Sequence, residues 1–276
     1  MIRRLGGNLG HRAGDTGDVA EAAVALERDG YAVLRAVFTP TEVAELAAEM
    51  EQAFAERDAE RGRSDRDEFR YQMLNYGAAS LRAIAHPEIL AAIEPLLGED
   101  CHVIANTAWW NPPDFRGGPW HCDAGPHVPR PADVAWDDRI PYPVFAIGAH
   151  LLLRECDVVD GPTAVVPGSH RSGRIPDYAR VDEPDFGYEG RTPVLLTGAA
   201  GDVALFVSDV WHRGMPAGAG GRGRRFLQCH YGRRDLAQRI RPTAEVHHLT
   251  DDAVARADSP RLRTLVGLHD PYFYDG

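Results

Sequence analysis

The sequence predicts an all-β core with α-helices packed against its outside. After residue 100, short segments with the β-branched and aromatic character of strands alternate with Gly- and Pro-rich turns. Before that point the hydrophobic residues recur at helical spacing. Many short strands separated by turns are typical of a sandwich or barrel, whereas a parallel sheet would need crossover helices between its strands. The chain shows no linker or internal repeat. We therefore expect one domain over residues 1–276, with a helical front segment at 18–97, a β core at about 101–232 and a C-terminal extension at 233–276.

The front segment carries its own start and stop signals. Residues 1–17 are polar and Gly-rich, so we expect them to be loose. Asp18–Asp29 has helical spacing and is followed by Gly30, a residue suited to a helix C-terminus. Tyr31–Phe38 is predicted as a strand. Thr39-Pro40-Thr41-Glu42 then forms a capping box with Pro at the first helical position, which predicts a helix onward through Phe54.

The remaining segments complete the prediction. The dense mixed-charge run Glu56–Glu68 is typical of an exposed helix end or loop. Glu88–Leu97 predicts a short amphipathic helix, and Asp251–Val266 predicts a last one. The predicted strands of the core are His102–Trp110, Pro119–Asp123, Val144–Arg154, Thr163–Val166, Val194–Thr197, Asp202–Val207 and Arg224–Tyr231.

Composition narrows the class of protein. A net charge of −11 argues against a nucleic-acid surface and against a polybasic membrane anchor. Neither a signal peptide nor an apolar run near 18 residues is found, so we expect a cytoplasmic protein without membrane contact. The four cysteines form no C-x-x-C pair, so neither a disulfide framework nor a zinc knuckle is predicted. An apolar content of 44% is ordinary for a globular domain.

The stretch Pro119–Gly125 holds the first candidate site. His121 and Asp123 are two residues apart, and in a strand residues at this spacing project from the same face. They could therefore bind one metal ion together. A single H-x-D is also what chance supplies in a chain with twelve histidines, and His86-Pro87-Glu88 offers a decoy of similar form. A third ligand from elsewhere in the chain is needed to decide.

Further motifs follow the H-x-D in order. Asp160–His170 contains Gly161 and the segment Pro167-Gly168-Ser169-His170. Gly201–Phe206 leads into Val210-Trp211-His212, and Arg224 stands at the head of a strand twelve residues after His212. Together with Asp29–Arg35 and the helix after it, these motifs resemble the phytanoyl-CoA dioxygenase family of iron(II)/2-oxoglutarate oxygenases, over roughly residues 28–232.

The resemblance implies a fold and a site. The fold would be a double-stranded β-helix, the cupin-like jelly roll, with His121, Asp123 and His212 as iron ligands and as the catalytic centre. Two imidazoles and one carboxylate bind iron(II) on one face and leave the other face open. Arg224 would pair with the distal carboxylate of 2-oxoglutarate, because a guanidinium meets a carboxylate through two parallel hydrogen bonds. Strand parity favours Arg224 over Arg225. His170 is expected to be a structural turn residue outside the metal site.

The reaction implied by the resemblance consumes O2 and 2-oxoglutarate, releases succinate and CO2, and oxidises a small-molecule substrate. Hydroxylation is the usual outcome, while desaturation, epimerisation and ring closure occur in relatives. Because Asp123 is a carboxylate, where halogenating relatives carry a small residue, halogenation is not expected. One position departs from the pattern. Relatives often carry a hydroxyl residue two positions after the second histidine, and here that residue is Gly214, so one hydrogen bond to the cosubstrate is expected to be missing.

Other polar and aromatic residues are candidates for contacts near the site. Asn106 and Asn111 are candidates for touching the cosubstrate. His127 lies four residues past Asp123, in a Pro-rich segment over 125–143 of the length that often serves as a lid. The candidates for substrate contact are Arg70, Tyr71, Gln72, Trp110, Trp120 and His127, with Trp109 as a further aromatic wall.

Two other classes of protein fit the same residues. A metal-dependent hydrolase or isomerase on a cupin-like barrel would use the metal without an oxo-acid, and a catalytically silent jelly roll would only bind a ligand. Arg224 argues against the hydrolase, which has no use for a buried guanidinium. The complete His/Asp/His set argues against the silent binder.

Overall fold

The structure, a computed structural model, describes residues 19–61, 68–123, 125–183, 185–236 and 249–269. The predicted loose segment at 1–17 lies outside these residues, as does part of the mixed-charge run and of the C-terminal extension. Within them the core consists of two facing antiparallel sheets. The strands are β1 (Tyr31–Leu34), β2 (Glu68–Tyr71), β3 (His102–Asn111), β4 (Ala146–Leu152), β5 (Thr163–Val165), β6 (Val194–Leu196), β7 (Val203–Val207), β8 (His212–Gly214) and β9 (Arg224–Gly232).

The larger sheet has six strands in the order β1-β7-β4-β9-β3-β2, and the smaller has three in the order β6-β5-β8. All the recorded pairings are antiparallel, which confirms the predicted jelly-roll core. Apolar residues of both sheets meet between them, in a cluster formed by Val33, Val165, Leu196, Ala204, Phe206 and Val210. The other face of the larger sheet packs against helices in the largest apolar cluster. Each long strand of this sheet therefore has one face toward the barrel interior and one toward the helices.

The helices are α1 (Val19–Asp29), α2 (Pro40–Arg61), α3 (Ala78–Ile84), α4 (Pro87–Leu97), α5 (Asp251–Arg256) and α6 (Pro260–Leu265). The predicted capping box at the start of α2 is present, since Thr39 Oγ1 accepts from the Glu42 amide at 3.3 Å and the Glu42 carboxylate accepts from the Thr39 amide at 2.8 Å. None of the described helices is long and apolar enough to cross a membrane.

Several boundaries differ from the prediction for local reasons. The first strand ends at Leu34 because the chain turns toward Asp202, whose Oδ1 accepts from the Ala36 amide at 2.8 Å. The last helix divides in two, because Ser259 caps a new helix and Pro260 has no amide hydrogen to continue the old one. Of the predicted strand Pro119–Asp123, only a single bridge between His121 and His212 forms among the described residues.

Helix α3 and strand β2 were not predicted, because long-range contacts make them. The Gly77 N-cap of α3 offers no side chain, and Glu49 on α2 supplies the cap instead. Its carboxylate accepts from the amides of Ala79 (2.7 Å) and Ser80 (2.9 Å). Strand β2 begins at the last residue of the charged run and is held by its pairing with β3. Neither signal is visible in the local sequence.

Candidate active site

The chain brings the H-x-D segment and the start of β8 side by side. The amide of His121 donates to the carbonyl of His212 (2.9 Å), and the amide of His212 donates back to the carbonyl of His121 (2.8 Å). The amide of Asp123 donates to the carbonyl of Ser208 (3.0 Å). Because paired residues of antiparallel segments share a face, His121, Asp123 and His212 are all directed into the same space between the sheets.

The side chains of these three residues form a compact donor set. One potential ligand atom from each lies within 4.8 Å of the other two. Asp123 Oδ1 is 3.8 Å from His121 Nε2 and 3.6 Å from His212 Nε2. The side chains of Asp123 and His212 are 8% and 6% exposed, whereas that of His121 is 42% exposed, so the site opens toward solvent on the His121 side.

The backbone sets which nitrogen of each histidine faces the site. His121 Nδ1 is 2.9 Å from the carbonyl oxygen of Pro119, and His212 Nδ1 is 2.9 Å from the carbonyl oxygen of Val210. A carbonyl only accepts, so each Nδ1 carries the proton and each Nε2 offers a lone pair toward Asp123 Oδ1. Imidazoles held in this way are typical of metal ligands, and two imidazoles with one carboxylate are the set that suits non-haem iron(II). The residues present therefore fit an iron ion.

The decoy histidine and His170 have structural roles. His86 is the N-cap of α4, where Nδ1 accepts from the Glu88 amide at 3.4 Å. Among the described residues, His86 does not belong to the set of side chains close enough together to bind a metal ion. His170 is buried, and Nε2 lies 3.0 Å from the carbonyl oxygen of Glu27 on α1. Burial lowers the pKa of His170 to about 4, so it is uncharged at neutral pH.

Arg224 is buried on the interior face of β9. Its Nε donates to Asn111 Oδ1 at 3.0 Å, and its Nη1 donates to the hydroxyl of Thr163 on β5. The guanidinium also lies over the ring of Phe226, 4.7 Å from its centre. Of the neighbouring arginines, Arg222 contacts Glu155 and Asp160, and Arg225 lies on the opposite face of the strand beside Glu51. Hydrogen bonds from both sheets thus fix the direction of the Arg224 side chain.

The structure explains why position 214 is a glycine. A Cβ atom at Gly214 would stand 2.6 Å from Arg224 Nη2 and 3.1 Å from the ring of Phe115. The space that a side chain would occupy is filled by the guanidinium. Thr163 is the direct partner of Gly214 in the β5–β8 ladder, so the hydroxyl expected at position 214 is present one strand away.

Strand pairing separates the other candidates by face. Asn111 pairs with Arg224 and shares its face. Asn106 pairs with Cys229, and its Nδ2 donates to Cys229 Sγ at 3.2 Å on the helix side of the sheet. Trp110 likewise pairs with Arg225 and packs on Phe54 of α2. The structure therefore brings Asn111 to the site and directs Asn106 and Trp110 away from it.

The β2 candidates divide in the same way. Arg70 pairs with Ala108 on the helix side, and its Nε donates to the hydroxyl of Tyr76 at 2.6 Å. Tyr71 pairs with Thr107 on the interior face, where it is half exposed. Gln72 follows in a left-handed conformation (φ 62°), and its amide donates to the carbonyl of Asn106 at 3.0 Å. Only Tyr71 of this group faces the interior.

Trp120 and His127 have partners away from the three donor atoms. Trp120 directly precedes His121, so it projects to the opposite face from the two ligand positions, and it packs with Phe186 on the outer face of the smaller sheet. His127 donates its amide to Asp209 Oδ2 (3.1 Å) and contacts Oδ1 through Nδ1. Its ring stacks on Phe145 at 4.9 Å. Asp209 also accepts from the hydroxyl of Tyr142 at 2.6 Å, so one buried carboxylate holds both ends of the 125–143 segment.

Several interior polar residues were not singled out from the sequence. They share the face of Arg224 or lie across from it: His150, Thr163, Ser208, Gln228 and His230. The signal that could have found Gln228 and His230 is parity, since they are four and six residues after Arg224 on one strand. Burial, followed by the charge of Arg224, lowers the pKa of His150 well below its ordinary value. A neutral imidazole therefore lies beside Thr163, 3.2 Å from its hydroxyl.

A jelly roll that gathers two imidazoles and a carboxylate at one point, with a buried guanidinium on the same interior, defines the class of iron(II)- and 2-oxoglutarate-dependent oxygenases. The comparisons with known proteins agree. Residues 26–225 match the phytanoyl-CoA dioxygenase (PhyH) family, and the chain belongs to that family. It is a 2-oxoglutarate-dependent oxygenase that uses iron, as the sequence resemblance implied.

Relatives and solved structures are consistent with this assignment. An ectoine dioxygenase of Nocardia farcinica (strain IFM 10152) is 27% identical over 222 residues, which cover 70% of this chain and 71% of the relative. The apoform of EctD from S. alaskensis has a similar fold, with a TM-score of 0.64, 23% identity and coverage of 83% of this chain and 82% of that one. The epimerase SnoN, solved with Fe3+, alpha ketoglutarate and nogalamycin RO, matches at a TM-score of 0.60 and 22% identity, over 88% of this chain and 90% of that one.

Proposed function

We propose that His121, Asp123 and His212 hold the iron, that Arg224 binds the distal carboxylate of 2-oxoglutarate, and that the enzyme hydroxylates a small-molecule metabolite. The observation that carries the proposal is the donor set around Asp123 Oδ1, with Nε2 atoms at 3.8 and 3.6 Å. Iron with 2-oxoglutarate supplies O2 activation and substrate oxidation with release of succinate and CO2.

The chain's own residues contribute charge, orientation and exclusion of water. Asp123 brings the negative charge that two neutral imidazoles lack. Arg224 offers a charge that persists at every physiological pH, in a planar fork that matches a carboxylate. Burial of Arg224 and of Phe226 beside it keeps water from competing for that fork. The exposed side of His121 is the side from which a substrate can approach.

Thr163 supplies the hydroxyl group that relatives carry at the position of Gly214. It accepts from Arg224 Nη1 and lies 3.2 Å from His150 Nδ1. Because the pKa of His150 is lowered, its ring is neutral, and with its proton on Nδ1 it donates to Thr163 as Arg224 Nη1 does, which leaves the Thr163 O–H to donate to the carboxylate of 2-oxoglutarate. Asn111 supports Arg224 from the other side through Nε. The expected loss of a hydrogen bond at Gly214 is therefore offset on the facing strand.

Substrate contact is proposed for the aromatic side chains at the edge of the larger sheet. Phe69, Tyr71 and Trp109 form a continuous group on the interior face, with ring centres 5.0 and 5.4 Å apart. Such a wall favours a substrate with an apolar or cationic face. We further propose that residues 1–276 act as a single cytoplasmic oxygenase domain, which the free, buried state of all four cysteines supports.

The test is succinate release from anaerobically iron-loaded protein after O2 is admitted, across a panel of metabolites that includes ectoine. Ectoine belongs in the panel because the relatives cited above are ectoine dioxygenases. A substrate should raise succinate release in stoichiometric balance with a product that has gained one oxygen atom by mass spectrometry. A product of unchanged mass would replace hydroxylation with epimerisation. Iron-loaded wild-type protein given 2-oxoglutarate but no metabolite is the control for uncoupled release.

A further inference from the structure

A chain of hydrogen-bonded side chains runs from the aromatic wall to His230 and Ser208, and His230 lies beside Asp123. Trp109 Nε1 donates to Gln228 Oε1 at 2.8 Å, and Gln228 Nε2 lies 3.4 Å from His230 Nδ1. His230 Nε2 lies 2.7 Å from the hydroxyl oxygen of Ser208 and 3.2 Å from Asp123 Oδ2. His230 is fully buried. The proposed roles in binding iron and 2-oxoglutarate assign nothing to Trp109 Nε1, Gln228 or His230.

The chemistry of each group fixes the direction of the chain. An indole N–H only donates, so the atom of Gln228 beside it must be the amide oxygen. The amide nitrogen of Gln228 then faces His230 Nδ1, and because that nitrogen only donates, Nδ1 must be the acceptor. A neutral His230 accordingly carries its proton on Nε2, the nitrogen that faces Ser208 and Asp123.

Asp123 is consequently held with its two oxygens in different environments. Oδ1 faces both ligand imidazoles, whereas Oδ2 faces the N–H side of His230. Ser208 contacts both residues, because its carbonyl accepts the Asp123 amide and its hydroxyl meets His230 Nε2. With the proton on Nδ1 instead, a nitrogen lone pair would oppose Oδ2. The tautomer of His230 therefore decides whether this contact attracts or repels.

We propose that Trp109, Gln228 and His230 are positioning residues that fix the His230 tautomer and thereby keep one oxygen of Asp123 directed at the metal. The inference rests on the proposed role of Asp123 as an iron ligand. A change of any link should alter metal affinity without touching a ligand. Outer partners of metal ligands typically contribute about 10- to 100-fold in affinity.

The first measurement is the protonation site of His230 in the metal-free protein, from imidazole 1H–15N correlation spectra at neutral pH, assigned with the His230→Gln variant. The expected result is a proton on Nε2. In Gln228→Glu, both carboxylate oxygens accept, so the proton should appear on Nδ1. A wild-type proton on Nδ1 would overturn the proposal.

The second measurement is iron(II) affinity by anaerobic competition with a chelator. We expect His230→Leu to bind iron about 10- to 100-fold more weakly, and His230→Gln, which keeps an N–H donor, to recover most of the loss. His102→Leu is the matched control, since His102 is equally buried in β3 and contacts Leu236 and His269 instead. If His230→Leu does not fold, Trp109→Phe decides, because it keeps the ring stack on Phe226 and removes only the donor.

Failure of this inference differs from failure of the proposed ligand set. If Asp123→Ala loses iron while His230→Leu and Trp109→Phe bind it within about threefold of wild type, only the positioning role is wrong. If Asp123→Ala itself binds iron normally, the ligand assignment is wrong.

Discussion

The two faces of strands β3 and β9 carry different chemistry on the same backbone. The interior face presents Asn111, Arg224, Gln228 and His230, each hydrogen-bonded to another side chain. The helix-side face presents Trp110, Arg225, Cys229 and Tyr231, which pack on the helical layer or its edge. Adjacent residues of these strands therefore have different roles. Because successive side chains of a pleated strand project to opposite faces, the polar residues collect on the interior face and the packing residues on the helix side.

The contrast is sharpest in the adjacent arginines. Arg224 is buried and bonded to neutral oxygens of Asn111 and Thr163, a setting that can receive an anion. Arg225 lies 4.1 Å above the Trp110 ring and 3.3 Å from Glu51, so it covers apolar surface and faces a carboxylate at the edge of the sheet. The same type of side chain is proposed for recognition on one face and packs against apolar surface on the other.

Removal of the Asp123 carboxylate should have the largest effect on the interior site. Asp123→Ala should abolish turnover and lower iron(II) affinity by at least about 100-fold, beyond the usual effect of an outer partner, because two neutral imidazoles leave the metal charge uncompensated. Chelator competition measures it. His86→Ala removes a helix cap and should cost about 0.5–2 kcal/mol of stability, with iron affinity unchanged. The reverse pattern would show that the metal site lies elsewhere.

The next effect compares the two arginines directly. Arg224→Ala should weaken 2-oxoglutarate binding to the iron-loaded protein on the order of a hundred- to a thousandfold, since truncating a buried charge pair costs about 3–5 kcal/mol. Arg224→Lys should recover part of this loss, because an ammonium cannot reproduce the fork. Arg225→Ala and Arg222→Ala should bind normally. Normal binding by all three variants would contradict 2-oxoglutarate as the anion bound here.

A smaller effect compares the two asparagines of β3. Asn111→Ala removes the acceptor for Arg224 Nε and should weaken 2-oxoglutarate binding about tenfold, the effect expected when a hydrogen bond to a charged group is lost. Asn106→Ala should leave that affinity unchanged and lower the free energy of unfolding by about 1 kcal/mol, because its partners are on the helix side. Equal effects on 2-oxoglutarate would show that strand parity does not separate the faces.

The sequence was sufficient for the residues whose spacing is local. His121 and Asp123 are two apart, and Arg224 heads its strand, so parity predicted that they face the interior, where the structure has them. Their roles as iron ligands and as the 2-oxoglutarate anchor stay predictions. The sequence was insufficient where the answer depends on register. Asn106 and Asn111 are an odd number of residues apart, so parity allows only one of them to face the interior, and it is the pairing with β9 that selects Asn111, the partner of Arg224. Trp120 similarly alternates with His121.

Other features depended on contacts from distant parts of the chain. The cap of α3 comes from Glu49, and the hydroxyl beside Arg224 comes from Thr163 on another sheet. No local sequence pattern predicts the Glu49 cap or the Thr163 contact. Polar residues inside a strand, such as Gln228 and His230, look unfavourable in the sequence, and only the partners across the barrel explain them.

The smallest effect concerns Gly214, where the family pattern and the structure predict opposite signs. If the missing hydroxyl simply weakens the site, Gly214→Ser should tighten 2-oxoglutarate binding. The structure predicts weaker binding, by roughly fivefold, because the new Cβ would stand 2.6 Å from Arg224 Nη2 and displace a guanidinium held by two other bonds. Gly118→Ser is the control, since a Cβ there meets nothing within 4 Å. Titration of iron-loaded protein with 2-oxoglutarate shows whether the affinity rises or falls.

Thr163→Val should weaken 2-oxoglutarate binding, and adding Gly214→Ser to it should not restore the affinity, because the displaced guanidinium, and not the number of hydroxyls, limits the site. Restoration by the double variant would show that the two positions are interchangeable and that Arg224 tolerates a side chain at 214.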